Sequence, residues 1–244
     1  MSFDTHRPGA KAPGLQLSGD IDRLWVDGPA YRQVPGVFPL SSDTAWLGGF
    51  VRLSGVTRFC DLGCGGGALS LQLLGRKTTL SACGMDILPE AVSATEENLR
   101  LNGWKGEYYA GDLRDWKTHF RPGSFDLAVT NPPYFPISGG VAQGERGTAR
   151  TESCSLAELC EAASGLLHEG GRFCIVYPPF RLNELLNAMT VVGLEPKRLQ
   201  LVMKNIHSEP CAVLAEGIRN GGTGLRVLPP ILTEENKPCP ENSI

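Results

Sequence analysis

A glycine-rich turn between an apolar strand and a helix is the feature that most constrains how this chain can fold. Residues 57–62 have the composition of a buried β-strand and are followed at once by Gly63-Cys64-Gly65-Gly66-Gly67. Apolar residues between positions 68 and 74 then recur on one face of a helix. Glycines let a ligand approach the backbone closely, and a helix N-terminus offers free N–H groups. The turn indicates either a ligand site or a purely structural strand-to-helix connection.

Strand-like and helix-like stretches alternate along the rest of the chain. Further strands are predicted at residues 78–85, 107–110, 125–129 and 172–177. Helices are predicted to begin at Pro89, Ser155 and Leu182, and residues 198–203 and 212–216 are predicted to form a closing hairpin. This alternation predicts an α/β fold, with a mostly parallel sheet covered by helices on both faces.

The length of 244 residues suits one α/β domain with a large core and is short for two. We expect a single domain over residues 21–232. The polar, Pro- and Gly-containing segments 1–20 and 233–244 are expected to be flexible. The glycine-rich stretch within residues 138–152 has no periodicity, and we expect it to form a substrate-facing lid.

Two later acids raise the probability of a ligand site. Asp86 ends the second predicted strand, where a carboxylate can accept hydrogen bonds from two ribose hydroxyls. Asp112 follows the third strand and suits recognition of an adenine amino group, although it could also cap the short stretch after it. An NAD site would use the same glycines and the same Asp86. NAD binding predicts no special feature after the fourth strand, and this chain has one there.

That feature is the tetrapeptide Asn131-Pro132-Pro133-Tyr134. The lone pair of an aniline-like or amide nitrogen is delocalised, so such a nitrogen is a poor nucleophile. The Asn131 side-chain carbonyl and the Pro132 backbone carbonyl could accept its two N–H bonds and favour a more tetrahedral nitrogen. Two prolines stiffen this backbone, and Tyr134 offers a flat face on which a planar group can stack. The alternative is that the prolines merely end a strand and the tyrosine fills core.

The three strand-end acids and the tetrapeptide together resemble class I S-adenosylmethionine-dependent methyltransferases. The resemblance implies a Rossmann-like, doubly wound, mostly parallel seven-stranded sheet with an antiparallel C-terminal strand. It implies that Asp61 lies near the methionine end of the cofactor, Asp86 on the ribose and Asp112 on the adenine. The full set of cofactor residues expected on this basis is Asp61, Gly63, Gly65, Gly67, Asp86, Ile87, Asp112, Leu113 and Asn131. Phe38 and Asp43 are expected to help close the cofactor site.

Residues 24–232 resemble more narrowly the bacterial tRNA adenine-N6 methyltransferases that modify the adenosine 3′ of the anticodon in valine tRNA. The resemblance rests on residues 33–43, on Asn131-Pro132-Pro133-Tyr134-Phe135 with the downstream residues 149–152, and on the C-terminal segments 194–199, 214–217 and 224–230. It implies that catalysis uses Asn131, Pro132 and Tyr134. The substrate-binding residues expected are Pro133, Tyr134, Phe135, Arg146 and Arg150.

Three alternatives remain open at this point. A glutamine methyltransferase acting on release factors uses the same tetrapeptide, but that family usually has a helical substrate domain before the glycine turn, and the stretch before Asp61 is short. A guanine-N2 rRNA methyltransferase shares the tetrapeptide as well. An inactive S-adenosylmethionine-binding module would have no reason to keep both the acids and the tetrapeptide.

Composition limits the partners without naming them. The formal net charge is −3, so no global basic field indicates a nucleic acid, although a local basic patch is sufficient for RNA binding. The eight cysteines form no CxxC pair and mostly lie in apolar runs, which favours reduced thiols over a disulfide framework or a metal site. We find no secretory signal and no apolar run long enough to span a bilayer, and we expect a cytoplasmic protein.

Overall fold

The computed structural model describes residues 21–132 and 154–234. The predicted flexible N-terminal segment 1–20, residues 235–244 of the predicted C-terminal segment 233–244, and the predicted lid 138–152 lie outside the described residues. In chain order the elements are β1 (Ile21–Arg23), β2 (Ala30–Arg32), α1 (Ser42–Phe50), β3 (Arg58–Leu62), α2 (Ala68–Arg76), β4 (Ser81–Asp86), α3 (Pro89–Leu101), β5 (Gly106–Ala110), a 3₁₀ helix (Leu113–Thr118), β6 (Phe125–Thr130), α4 (Leu156–Leu166), β7 (Leu167–Tyr177), a 3₁₀ turn (Pro179–Arg181), α5 (Leu182–Val191), β8 (Leu194–Met203), β9 (Pro210–Arg219), β10 (Arg226–Val227) and β11 (Ile231–Leu232).

One mixed sheet organises these elements and confirms the predicted fold class. Its strand order is β5-β4-β3-β6-β7-β9-β8. The five strands β3 to β7 are parallel to one another, and β9 runs antiparallel to both β7 and β8. The two-residue strands β10 and β11 pair with the outer edge of β8, so they extend the predicted seven strands to nine.

The core lies in two layers, one on each face of the sheet. Because side chains alternate along a strand, Cys60 and Leu62 face one layer while Phe59 faces the other. Helices α4 and α5 cover the first layer, and α1, α2 and α3 cover the second. Six of the seven cysteines in the described ranges are buried, as expected of thiols in apolar runs, and Cys211 is exposed.

Parallel strands end at the same edge of a sheet, which brings the predicted site residues together. Strands β3, β4, β5 and β6 end at Leu62, Asp86, Ala110 and Thr130. The hydroxyl of Thr130 donates to the carbonyl of Leu62 at 2.7 Å, which ties the ends of β6 and β3 to each other. The segment after β6 therefore starts beside the glycine-rich turn.

Two regions differ from the sequence-based expectation. Neither helix α1 nor the β1–β2 hairpin was predicted. Helix α1 gives a weak helical signal because it is only nine residues long and contains Gly48 and Gly49. Strand β7 begins at Leu167 rather than Arg172: Leu167 pairs with Phe125, the register then shifts, and Gly170 takes a positive φ of 78° in the irregular part. None of the helices in the described ranges has the length and apolar content that crossing a bilayer requires.

Candidate active site

A cavity of about 490 Å³ opens at the carboxyl edge of the sheet. Its walls include eight of the nine residues expected to bind a cofactor, namely Asp61, Gly63, Gly65, Asp86, Ile87, Asp112, Leu113 and Asn131. Gly67 is not part of the wall. It precedes α2 with a φ of 80°, and a β-carbon there would lie 2.9 Å from Thr95, so its position is explained by backbone conformation and packing.

The N–H groups of the glycine-rich turn are mostly used within the protein. Those of Gly63 and Cys64 donate to the Met85 carbonyl at 2.8 and 3.2 Å, and that of Gly67 donates to Cys64 at 2.8 Å. The N–H of Gly65 donates to the Asp86 carboxylate at 2.8 Å. A phosphate-binding loop needs such groups free to point at the ligand. With four of them engaged, this turn is poorly suited to hold a pyrophosphate.

Asp61 is a buried carboxyl in the wall of the cavity. It is 1% exposed, and its carboxylate accepts a hydrogen bond from the Ser70 hydroxyl at 2.7 Å. The Ser70 oxygen in turn accepts from the Tyr108 hydroxyl at 2.8 Å. Burial raises the pKa of Asp61 to about 7, with the Ser70 hydrogen bond acting in the opposite direction. A cationic group entering the cavity would stabilise the ionised form of Asp61.

Asp86 and Asp112 have different surroundings. The two carboxylate oxygens of Asp86 accept from the backbone N–H groups of Gly65 and Leu88, at 2.8 and 3.0 Å, and burial raises its pKa. The Asp112 carboxylate accepts from the backbone and the guanidinium of Arg114 at 2.8 and 2.9 Å, which lowers its pKa. Asp112 thus caps the 3₁₀ helix that follows, as one interpretation of the sequence proposed, while it also faces the cavity.

Asn131 follows the last residue of β6 and is half-buried in the cavity wall. Its side-chain NH₂ group donates to the Thr44 hydroxyl at 2.9 Å and lies 3.3 Å from the Ser41 hydroxyl. Pro132, which also lines the cavity, is buried. The Asn131 amide is therefore held by its nitrogen against α1, and its carbonyl oxygen is the part left to act as an acceptor.

Known proteins with a similar sequence identify the family. Residues 50–193 match the model of the methyltransferase small domain family. The chain belongs to this family. A protein of Escherichia fergusonii named tRNA1(Val) (adenine(37)-N6)-methyltransferase is 30% identical over 143 residues, which are 57% of this chain and 58% of that one. A protein of the same name from Bacteroides fragilis is 28% identical over 174 residues, 70% of this chain and 73% of that one. The chain thus spans little more than half of the first of these relatives.

Solved structures give the same fold at low sequence identity. A predicted O-methyltransferase from Agrobacterium tumefaciens superimposes with a TM-score of 0.62 and 17% identity, covering 78% of this chain and 86% of that one. TrmN from Thermus thermophilus gives a TM-score of 0.53 at 16% identity, covering 72% of this chain and 48% of that one. Both likenesses concern the fold of the methyltransferase domain.

Several residues that line the cavity were not predicted from the sequence. They come from the segment before the glycine turn (Tyr31, Gly36, Pro39, Leu40 and Thr44), from Cys154 just before α4, and from Leu159 in the first turn of α4. Phe38, expected from the resemblance, lines the cavity, whereas Asp43 is not among the lining residues. The signal that could have found Thr44 is its place beside the segment 33–43, which was already singled out.

Five residues expected to bind the substrate lie outside the described residues, so their roles stay predictions: Pro133, Tyr134, Phe135, Arg146 and Arg150.

The part of the chain that is described contains no group of three or more His, Cys, Asp or Glu side chains placed to hold a metal ion.

Proposed function

We propose that this methyltransferase domain, over residues 21–232, transfers a methyl group from S-adenosylmethionine to the N6 amino group of an adenine in tRNA. The observation that carries the proposal is the position of Asn131. It lies at the carboxyl end of β6, in the wall of a cavity that the strand-end acids Asp61, Asp86 and Asp112 also line. An amide acceptor for an N–H group and a cofactor-sized cavity therefore share one wall.

The residues of the cavity fit S-adenosylmethionine better than a dinucleotide. Its volume lies within the range of cofactor sites. Four carboxyl groups line it, those of Asp61, Asp86, Glu90 and Asp112, and no lysine or arginine is among the described lining residues. Such a field attracts a cofactor that carries an ammonium and a sulfonium and repels a pyrophosphate. Asp61 would hold the ammonium, Asp86 the ribose hydroxyls and Asp112 the adenine amino group.

When bound, S-adenosylmethionine supplies a methyl group on a positively charged sulfur. The protein binds and orients the acceptor. In this proposal, the side-chain carbonyl of Asn131 and the backbone carbonyl of Pro132 accept the two N–H bonds of the target amino group and align its lone pair with the methyl carbon. The nitrogen loses its proton after transfer, so no base with a tuned pKa is required. Tyr134 would stack on the ring of the target base.

Adenine in tRNA is the target that the relatives favour. The proteins matched at 28–30% identity are named for methylation of adenine 37 of valine tRNA 1. The C-terminal segments 194–199 and 214–217, which resemble that family, lie in strands β8 and β9, and β9 pairs with β7. We propose adenine 37 of valine tRNA as the target, with Arg146 and Arg150 contacting phosphates, and the cytoplasm as the place of reaction.

Ligand-dependent thermal stability tests the cofactor assignment. S-adenosylmethionine is expected to raise the melting temperature, because a ligand that binds only the folded state stabilises it, and NAD is expected to have no effect. The Asp86→Ala variant should lose most of the shift. A shift with NAD alone would refute the cofactor assignment.

Methyl transfer tests the target. The enzyme is incubated in parallel with unmodified total tRNA, rRNA and release factor, and the products are digested and analysed by mass. N6-methyladenosine in the tRNA fraction is the expected product. Methylguanosine in rRNA would indicate a guanine-N2 enzyme, and methylated glutamine would indicate a protein substrate; either result without tRNA methylation would refute the proposal. Cofactor binding without transfer to any substrate would indicate an inactive binding module.

A further inference from the structure

Two hydroxyl groups at the start of α1 contact the nitrogen of the Asn131 amide. Thr44 accepts from Asn131 Nδ2 at 2.9 Å, and Ser41 lies 3.3 Å from the same atom. The two hydroxyl oxygens are 3.4 Å apart, so they also interact with each other. Thr44 is 7% exposed, which limits competition from water. This small network joins α1 to the end of β6 across 87 residues of sequence.

Ser41 is placed as a helix cap and does not act as one. It occupies the N-cap position of α1 with an extended backbone, yet its side chain makes no capping hydrogen bond to the helix. Serine at this position ordinarily accepts from a backbone N–H of the first turn. Here the hydroxyl lies against Thr44 and Asn131 instead. The interaction with Asn131 thus takes the place of a local contact that would stabilise the helix.

We propose that Thr44, assisted by Ser41, is a positioning residue that holds the Asn131 amide in place, with its nitrogen on α1 and its oxygen toward the target amino group. The inference rests on the proposed function of the same site. Rotating an asparagine amide by 180° exchanges its oxygen and nitrogen with little change in shape. With the nitrogen bound to Thr44, the oxygen is presented to the target amino group. In the opposite orientation the Asn131 NH₂ group would face the N–H bonds of the target amino group, and the Asn131 carbonyl oxygen could no longer accept from them.

Thr44 can hold the amide in place because α1 is itself anchored. The Arg76 guanidinium donates to the carbonyls of Gly48 and Val51, the latter at 2.8 Å, and so ties α2 to the end of α1. Leu47 and Phe50 are buried in the core layer that α1 shares with α2. Thr44 therefore has a fixed position on α1, and the hydrogen bond to Thr44 holds the Asn131 side chain.

Three variants test the proposal. Thr44→Val removes the hydroxyl and keeps the shape, and Thr44→Ser keeps the hydroxyl. Thr190→Val is the matched control, because the Thr190 hydroxyl donates to a carbonyl in its own helix on the exposed side of α5. Each is assayed for S-adenosylmethionine affinity, melting temperature, and kcat and KM with unmodified total tRNA. The side-chain NH₂ signal of Asn131, assigned through the Asn131→Asp variant, is followed in two-dimensional ¹⁵N NMR spectra.

Thr44→Val should lower kcat about tenfold, equivalent to about 1.4 kcal/mol of transition-state stabilisation, with cofactor affinity and melting temperature little changed. It should also shift the Asn131 side-chain signal. Thr44→Ser should restore both readouts, and Thr190→Val should change neither. The proposal is wrong if Thr44→Val leaves kcat and the signal as in the wild type, or if Thr44→Ser is as impaired as Thr44→Val. A wild-type enzyme that methylates no RNA would refute the proposed function instead, while the NMR signal still decides whether Thr44 holds the amide.

Discussion

The buried carboxyl of Asp61 should make the ligand-free protein less stable as the pH rises. Its folded-state pKa is about 7, raised by burial from an ordinary value of 3.8. A group whose pKa is higher in the folded state contributes most to stability at low pH, and that contribution is lost as pH rises through the folded-state pKa. The Asp61→Asn variant removes the titration, while its side-chain carbonyl can still accept from Ser70.

The size of the effect follows from the two pKa values. With a pKa of about 7 in the folded state against 3.8 in the unfolded chain, the raised pKa of Asp61 lowers the free energy of unfolding by about 2 kcal/mol at pH 5 and by about 4 kcal/mol at pH 8. The free energy of unfolding of Asp61→Asn, taken relative to the wild type, should therefore increase by about 2 to 3 kcal/mol between these pH values. For a domain of this size that corresponds to roughly 5 to 10 °C in melting temperature.

Paired denaturation curves of wild type and Asp61→Asn at pH 5 and pH 8, without ligand, measure this difference. Comparing the two pH values cancels any packing effect of the substitution itself. Wild-type affinity for S-adenosylmethionine should also fall about tenfold from pH 8 to pH 6, because the ammonium pairs with the ionised carboxylate. If the stability difference between variant and wild type is the same at both pH values, Asp61 is not a destabilising buried acid and the reasoning is refuted.

Two further substitutions separate chemistry from stability. Asn131→Ala should abolish methyl transfer while S-adenosylmethionine affinity, measured by calorimetry, stays within a few-fold; normal turnover would remove Asn131 from the mechanism. Glu216→Ala should lower the free energy of unfolding by about 3 kcal/mol, because it leaves the Arg198 guanidinium without its buried partner. Chemical denaturation measures that loss, and a change of less than about 1 kcal/mol would show that the ion pair contributes little.

The grouping of Asp61 and Asp86 at one cavity was predictable because both residues lie at strand ends. A parallel α/β sheet brings the carboxyl ends of successive strands to one edge, so acids that end β4 and follow β5 must lie near the glycine turn. The order β5-β4-β3-β6 then places Asn131 beside that turn. None of these steps depends on the details of side-chain packing. The pattern of strands and helices was therefore enough to bring the acids to one edge of the sheet, whereas the place of Asn131 beside the turn comes from the observed strand order.

The contribution of α1 was not predictable in the same way. Helix α1 contains Gly48, where a β-carbon would lie 1.8 Å from the Gln72 side chain, so close packing on α2 explains a residue that otherwise weakens a helix signal. The contact between Thr44 and Asn131 joins residues 87 positions apart and depends on that packing. Sequence periodicity describes the faces of an element, but it does not give the distance between two elements.

The C-terminal segments that most resemble the tRNA enzymes also support α1 physically. Glu216 on β9 is 0% exposed and is paired with Arg198 on β8 at 2.8 Å and with Arg52 just after α1. The Arg198 guanidinium also lies 4.3 Å from the centre of the Phe50 ring at the end of α1. A buried carboxylate with two arginines is costly to desolvate, so its geometry tolerates little change. The antiparallel end of the sheet thereby holds α1 in position. Because Thr44 lies on α1 and binds the Asn131 amide, these ion pairs also help to position that amide.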